Sequence, residues 1–167
     1  ALGGNVLLLG CGGVGRMMAI EAARHGADLT IAIIPEAQEM ADTLYKEIGE
    51  KYPDVAVKIV NINNIEGKFD LLINATPVGM YPKTDNCPVS ESVIANCGYV
   101  FDAIYNPTKT KLIQTAEKLG ITAVGGMSML VLQAVVAHEI WDGDRYTQEQ
   151  INKIIKDSVE IVDRDFK

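Results

Sequence analysis

The residues best placed to do chemistry come early. Gly10-Cys11-Gly12-Gly13-Val14-Gly15 follows the apolar run from Asn5 to Leu9 and precedes a segment with helical periodicity, so a G-x-G-x-x-G pattern sits between an expected strand and an expected helix. That context suits a dinucleotide pyrophosphate. Gly10 permits the tight turn, Gly12 lets the phosphates approach the backbone, and Gly15 lets the helix pack closely on the strand. The N–H groups of the helix terminus then face the anion. An ordinary glycine-rich turn is the bland alternative, and the strand and helix flanks weigh against it. A methyltransferase-type loop would favour glycine at the position of Val14. An adenylating enzyme would carry an acidic residue closing the second strand, where this chain has Ala32-Ile33-Ile34-Pro35.

The same tetrapeptide bears on cofactor choice. An NAD site offers a carboxylate at the end of the second strand, roughly 20 residues past the loop, and an NADP site commonly offers an arginine to the 2′-phosphate. Ile33-Ile34-Pro35 supplies neither, and Glu36, one step into the helix, is only a weak substitute, so either NADP or NAD remains open at this point.

These residues need a scaffold, and the periodicity supplies one. Buried strands are expected at Asn5 to Leu9, Leu29 to Ile34, Val55 to Val60, Phe69 to Ile73, Tyr99 to Ile104 and Ile121 to Val124. Val14, Met17, Met18 and Ala22 recur at helical spacing, with Gly26 as the stop. Pro35 opens a helix whose stripe is Ala37, Met40, Ala41, Leu44 and Ile48. Further helices are expected at Ser90 to Ala95, near Lys109 to Leu119, and near Met127 to Trp141 and Thr147 to Val162. Strands alternating with helices predict an α/β, doubly wound, Rossmann-like parallel sheet of strand order 3-2-1-4-5-6, helices on both faces.

Composition narrows the partners. The 167 residues suit one domain; they are 48% hydrophobic and 22% charged, with a net charge of -7 that opposes binding to nucleic acid or anionic lipid. The apolar run Val6-Leu7-Leu8-Leu9 is far short of the roughly 20 residues that span a bilayer. Cys11, Cys87 and Cys97 form no CxxC pair and have no histidine cluster nearby, so no metal site is expected and reduced, cytoplasmic thiols are. Cys11, near a helix N-terminus, could carry a lowered thiol pKa, but a small residue that fits is the preferred reading. His25 and His138 lack triad-like neighbours and are read as surface or packing residues.

Three further segments are unexplained by composition: Asn74-Ala75-Thr76-Pro77-Val78-Gly79-Met80, Asp102-Ala103-Ile104-Tyr105-Asn106-Pro107, and Gly125-Gly126-Met127-Ser128-Met129-Leu130-Val131-Leu132-Gln133-Ala134. With the glycine loop and the turn Glu139-Ile140-Trp141-Asp142-Gly143, their order resembles the nucleotide-binding half of the shikimate dehydrogenase family over about residues 5 to 143. The resemblance implies NAD(P)-dependent interconversion of 3-dehydroshikimate and shikimate, quinate being used by some relatives. It implies that Gly10, Gly12, Gly13 and Val14 hold the pyrophosphate and that Thr76, Ala103 and Gly126 lie along the cofactor. Tyr105 and Gln133 would contact a shikimate-like substrate, a hydroxyl and an amide suiting a polyhydroxylated ring.

The sequence departs from the family twice. NADP users commonly read Asn-Arg-Thr where Ile33-Ile34-Pro35 stands here, and a lost arginine removes a charge-assisted phosphate contact. The family's catalytic lysine and aspartate belong to an amino-terminal substrate domain, expected to precede Ala1-Leu2-Gly3-Gly4, so no catalytic residue is assigned within the chain and weak turnover is expected of it alone. A non-catalytic nucleotide-binding module is the alternative. Met127, Met129 and Leu130 are read either as a bed for the nicotinamide ring or as core. The stripe Ile151, Ile154, Ile155, Val159 and Val162 is expected to pack on the sheet or on that other domain, or else to drive a homodimer.

Overall fold

The computed structural model describes residues 3–165, so Ala1 and Leu2 of the opening segment lie outside the described residues. Strands β1 (Asn5–Leu9), β2 (Asp28–Ile33), β3 (Val57–Asn61), β4 (Phe69–Asn74), β5 (Cys97–Asp102) and β6 (Thr122–Gly125) form one parallel sheet of order β3-β2-β1-β4-β5-β6. Helices α1 (Gly13–Arg24), α2 (Gln38–Lys51), α3 (Glu91–Ile94), α4 (Lys111–Lys118), α5 (Met127–Trp141) and α6 (Gln148–Asp165) alternate with the strands or follow them, and a 3-10 turn at Pro35–Ala37 leads into α2. The expected fold class and strand order are those observed.

Side chains alternate across a strand, and β1 shows why its sequence does not. Val6 and Leu8 point into one core, with Ile31 of β2, Ala19, Ala22 and Ala23 of α1, and Ala41, Leu44 and Ile48 of α2. Leu7 and Leu9 point into the other, with Leu72 of β4, Val100 of β5, Ile94 of α3, and Leu112 and Ala116 of α4. Val6, Leu7, Leu8 and Leu9 are all fully buried, as a central parallel strand covered on both faces requires.

Several expected boundaries shift for local reasons. The second strand ends at Ile33 because Ile34, preceding proline, becomes the N-cap of the 3-10 turn. The third begins at Val57, where its ladder with Leu29 starts. The fifth spans residues 97 to 102, since Cys97 pairs with Phe69 and the chain turns away after Asp102. Helix α4 starts at Lys111 because the Thr110 hydroxyl caps it, accepting from the Ile113 N–H.

The stripe expected on the first helix is displaced. Val14 and Met17 are exposed, and the buried face is Gly15, Ala19, Ala22 and Ala23. Small residues face the sheet because α1 lies very close to it: a Cβ on Gly15 would stand 2.3 Å from the Gly10 carbonyl oxygen. Met40 is likewise exposed on α2. The final stripe packs on a helix and not on the sheet: Ile151, Ile155, Val159 and Val162 lie against Met127, Val131 and Val135 of α5, while Ile154 is exposed.

Gly15→Ala is expected to destabilise the fold by about 1–3 kcal/mol, because the helix must move off the strand to relieve the overlap. Urea unfolding midpoints of the two proteins check this.

Candidate functional site

In an open parallel sheet, loops past the carboxyl ends of the strands diverge where the strand order reverses, and a crevice opens between them. Here the reversal lies between β1 and β4. A cleft of about 400 Å³ sits at that place, lined by Gly13 and Val14 after β1, by Ala75, Thr76, Pro77, Met80 and Tyr81 after β4, and by Ala103, Ile104, Tyr105 and Asn106 after β5. Its lining contains no lysine, arginine, histidine or carboxylate.

The glycine loop forms the first wall. Gly10 adopts φ +84° and its N–H donates to the Ala32 carbonyl at 2.9 Å, which anchors the loop to β2. A Cβ on Gly10 would lie 2.9 Å from the Thr76 methyl, so this glycine lets the first and second walls meet. Gly12 is the N-cap of α1, without a side-chain cap and without an acidic residue in the first turn. A Cβ at Gly12 or Gly13 would meet nothing within 4 Å. The first turn of α1 thus has no side-chain cap and open space beside its two glycines, an arrangement that fits an anionic diphosphate. Cys11 is buried and its thiol donates to the Ala37 carbonyl at 3.8 Å; burial pushes its pKa up, as expected for a small packing residue and opposite to an activated thiol.

The other two walls hang on one buried polar network. Asn74 and Asp102 end β4 and β5 as register partners, both with no solvent exposure. The Asn74 amide donates to Asp102 Oδ1 at 2.9 Å, and that oxygen also accepts from the Ile104 N–H at 3.1 Å. Asp102 Oδ2 accepts from the Thr110 hydroxyl at 2.6 Å. Asn74 Oδ1 accepts from the Thr76 hydroxyl at 2.7 Å and the Thr76 N–H at 3.1 Å, and the Thr76 hydroxyl accepts from the Val78 N–H at 3.2 Å. Burial pushes the Asp102 carboxyl above its usual range, against the donors from Thr110, Ile104 and Asn74, which pull it down. The Tyr81 N–H donates to the Asn106 carbonyl at 3.0 Å, tying the second wall to the third. Asn106 Oδ1 is buried without a protein partner, the only such side-chain atom among the described residues.

The structure thus gathers Gly13, Val14, Thr76, Ala103 and Tyr105 along one cleft, with Gly10 and Gly12 at its glycine-loop end. Gly126 caps α5 beside it: its N–H donates to the Ile104 carbonyl at 2.9 Å, and a Cβ there would overlap the Ala103 carbonyl oxygen at 2.1 Å. Gln133 is not in the lining; it is exposed on α5, next to the exposed Leu132. Of the expected nicotinamide bed, Met127 is core, Met129 half-buried and Leu130 exposed. His25 and His138 form exposed helix-surface pairs with Glu21 and Asp142, consistent with their reading as surface residues. Sequence reasoning missed roles for Asn74, Asp102 and Thr110. The clue available was a polar residue closing each of two largely apolar strands, since a buried polar group demands a partner.

Asp102→Ala leaves three donors without their acceptor and is expected to cost on the order of 3 kcal/mol. Asp102→Asn keeps the shape and lets the Thr110 hydroxyl turn to accept. Because the folded carboxyl is raised, the native state binds its proton more tightly, so this group's contribution to stability is full below about pH 3.9 and is lost as pH rises through the raised value. Urea midpoints followed from pH 4 to 7 should show that loss in the parent protein and a flatter profile in Asp102→Asn.

No protein-family model matches the sequence. Among curated relatives, the NADP(+) shikimate dehydrogenase of Caldanaerobacter subterraneus subsp. tengcongensis is 34% identical over 156 residues, 92% of this chain and 55% of that protein. The crystal structure of Listeria monocytogenes shikimate 5-dehydrogenase with shikimate and NAD superposes with a TM-score of 0.78 at 26% identity, over 90% of this chain and 55% of that one. Corynebacterium glutamicum quinate dehydrogenase, in complex with NAD, gives a TM-score of 0.78 at 28% identity over 93% of this chain and 54% of that one. The chain spans about half the length of the curated relatives it matches. In sequence and in strand order, the chain belongs to the shikimate dehydrogenase family and matches the nucleotide-binding, carboxyl-terminal half of its members.

Proposed function

We propose that this chain is the cofactor-binding half of an oxidoreductase that interconverts 3-dehydroshikimate and shikimate, or the corresponding quinate pair, with NADP or NAD. The observation that carries this reading is the convergence of the glycine loop, the Asn74–Met80 segment and the Asp102–Pro107 segment on one cleft at the sheet's topological switch point.

In this reading the first-turn N–H groups at Gly12, Gly13 and Val14 bind the diphosphate. Thr76, Ala103 and Gly126 flank the path toward the nicotinamide, and the uncharged lining keeps that end dry. The bound dinucleotide supplies hydride chemistry at its nicotinamide ring. The Tyr105 hydroxyl, exposed and without a protein partner among the described residues, is free to orient a substrate hydroxyl, and Gln133 offers an amide from α5. Proton transfer needs a positioned acid. The cleft lining has no lysine or carboxylate, which supports placing that group in the remaining half of the family's length. The exposed Leu132, Val136, Ile140 and Trp141 on α5 are the surface we assign to contact with that half, a homodimer being the other occupant. Three free, partly or fully buried thiols support a reducing cytoplasmic setting, and no helix among the described residues is long and apolar enough to cross a membrane. The same uncharged lining is what a non-catalytic dinucleotide-binding module would show, and it keeps that second reading in view.

Calorimetric titration of the chain with NAD, NADP and Mg-ATP is the test. Saturable binding of a nicotinamide dinucleotide is expected, and Gly12→Asp, which places a carboxylate in the open cradle, is expected to weaken it by about tenfold or more without loss of stability. Binding of Mg-ATP alone overturns the proposal.

A further inference from the structure

Strands β3, β2 and β1 are adjacent and parallel, so the residues just past their carboxyl ends share one rim. Hydrogen bonds continue that alignment beyond the strands: the Gly10 N–H donates to the Ala32 carbonyl at 2.9 Å, and the Ile62 N–H to the Ile33 carbonyl at 2.8 Å. The contact from the Cys11 thiol to the Ala37 carbonyl sets the turn Pro35–Ala37 against the glycine loop. A dinucleotide whose diphosphate lies on α1 and whose nicotinamide lies in the cleft must extend its adenosine the other way, over this rim.

The rim holds no cation. Residues 10–15, 34–38 and 62–66 contain neither lysine nor arginine, and their only charges are Glu36 and Glu66. Arg16, next in the chain, is held by Glu47 through two hydrogen bonds of 2.6 and 2.9 Å, on a carboxylate that also receives Lys51. Pro35 opens the turn without an N–H to offer, and Ile34 caps it with an exposed apolar side chain. Glu36 is exposed in that turn and enters no hydrogen bond or ion pair among the described residues.

These facts discriminate between the two nicotinamide dinucleotides. A ribose with free 2′ and 3′ hydroxyls donates to a carboxylate, a charge-assisted pairing. A 2′-phosphate, carrying close to two negative charges, would meet that carboxylate with no cation to offset it. Resting on the dinucleotide reading above, we infer that Glu36 receives the adenosine-ribose hydroxyls and that this chain selects NAD over NADP, unlike the relatives named for NADP(+).

The test is calorimetric titration with NAD and with NADP, at low and moderate salt, of the parent chain, Glu36→Gln and Ile34→Arg. Both side chains are exposed, so neither change endangers the fold. The parent is expected to bind NAD about tenfold or more tighter than NADP. Glu36→Gln should shrink that ratio by about fivefold, by weakening NAD and relieving NADP. Ile34→Arg should raise NADP affinity by about tenfold in a salt-sensitive way. Equal or tighter binding of NADP by the parent overturns the inference while leaving the dinucleotide reading intact, as does an unchanged ratio in Glu36→Gln. Failure of Ile34→Arg to improve NADP overturns the placement of the adenosine on this rim. Failure of both nucleotides to bind the parent overturns the dinucleotide reading itself.

Discussion

The Asp102 carboxylate is fully buried at the end of β5, and the bases of both loops on the far side of the cleft are joined through it. One of its oxygens holds the Asn74 amide and the turn at Ile104; the other holds the Thr110 hydroxyl that caps α4. Asn74 in turn holds Thr76 by two bonds. Two loops that would otherwise be independent thereby share a base, and their spacing is set by bond lengths instead of by loop entropy. A network of this kind is costly if any member is left unmatched and specific if all are matched. Burial raises the carboxyl while three donors hold it down, so its protonation and the geometry of the cleft are linked.

Opposite this polar base stands a wall defined by lack of side chains. Gly10 admits Thr76 and Gly15 admits the backbone of Gly10; in each case a methyl group would overlap a neighbouring atom. Gly12 and Gly13 are different, since a Cβ there would point into open space. Their small size suits close approach of something outside the protein, and the uncapped first turn of α1 sets the sign of its charge. No side chain lining the cleft carries a charge, so the polarity at its glycine-loop end comes from the backbone dipoles of the uncapped first turn of α1. At the β2 end the exposed charge is Glu36, in the Pro35–Ala37 turn that the Cys11 thiol joins to the glycine loop through the Ala37 carbonyl.

Much of this architecture can be read in the residues themselves. The strands and the glycine loop were legible because each is local, a buried parallel strand being a run of apolar residues; strand order followed from their alternation with helices, and the cleft segments from the resemblance to the family. Helix faces were less so. Val14 and Met17 fall at helical spacing with Ala22, yet the face that meets the sheet is Gly15, Ala19, Ala22 and Ala23, because the close approach at Gly15 leaves room only for small side chains. The stripe on the last helix was recognisable, but its partner, α5, was not, since nothing in an apolar stripe says which other stripe covers it.

The sequence by itself determined the doubly wound sheet, the glycine-rich turn between its first strand and first helix, and the family, since these depend on residue type and spacing along the chain. Only the tertiary structure decided that Asn74, Asp102 and Thr110 form one buried unit, that Gln133 lies outside the cleft lining, and that Arg16 is engaged by Glu47 while Glu36 stands free. Hydrogen bonds and charges act between groups near in space, across 28 residues for Asn74 and Asp102 and 31 for Arg16 and Glu47, and local spacing does not encode such pairings.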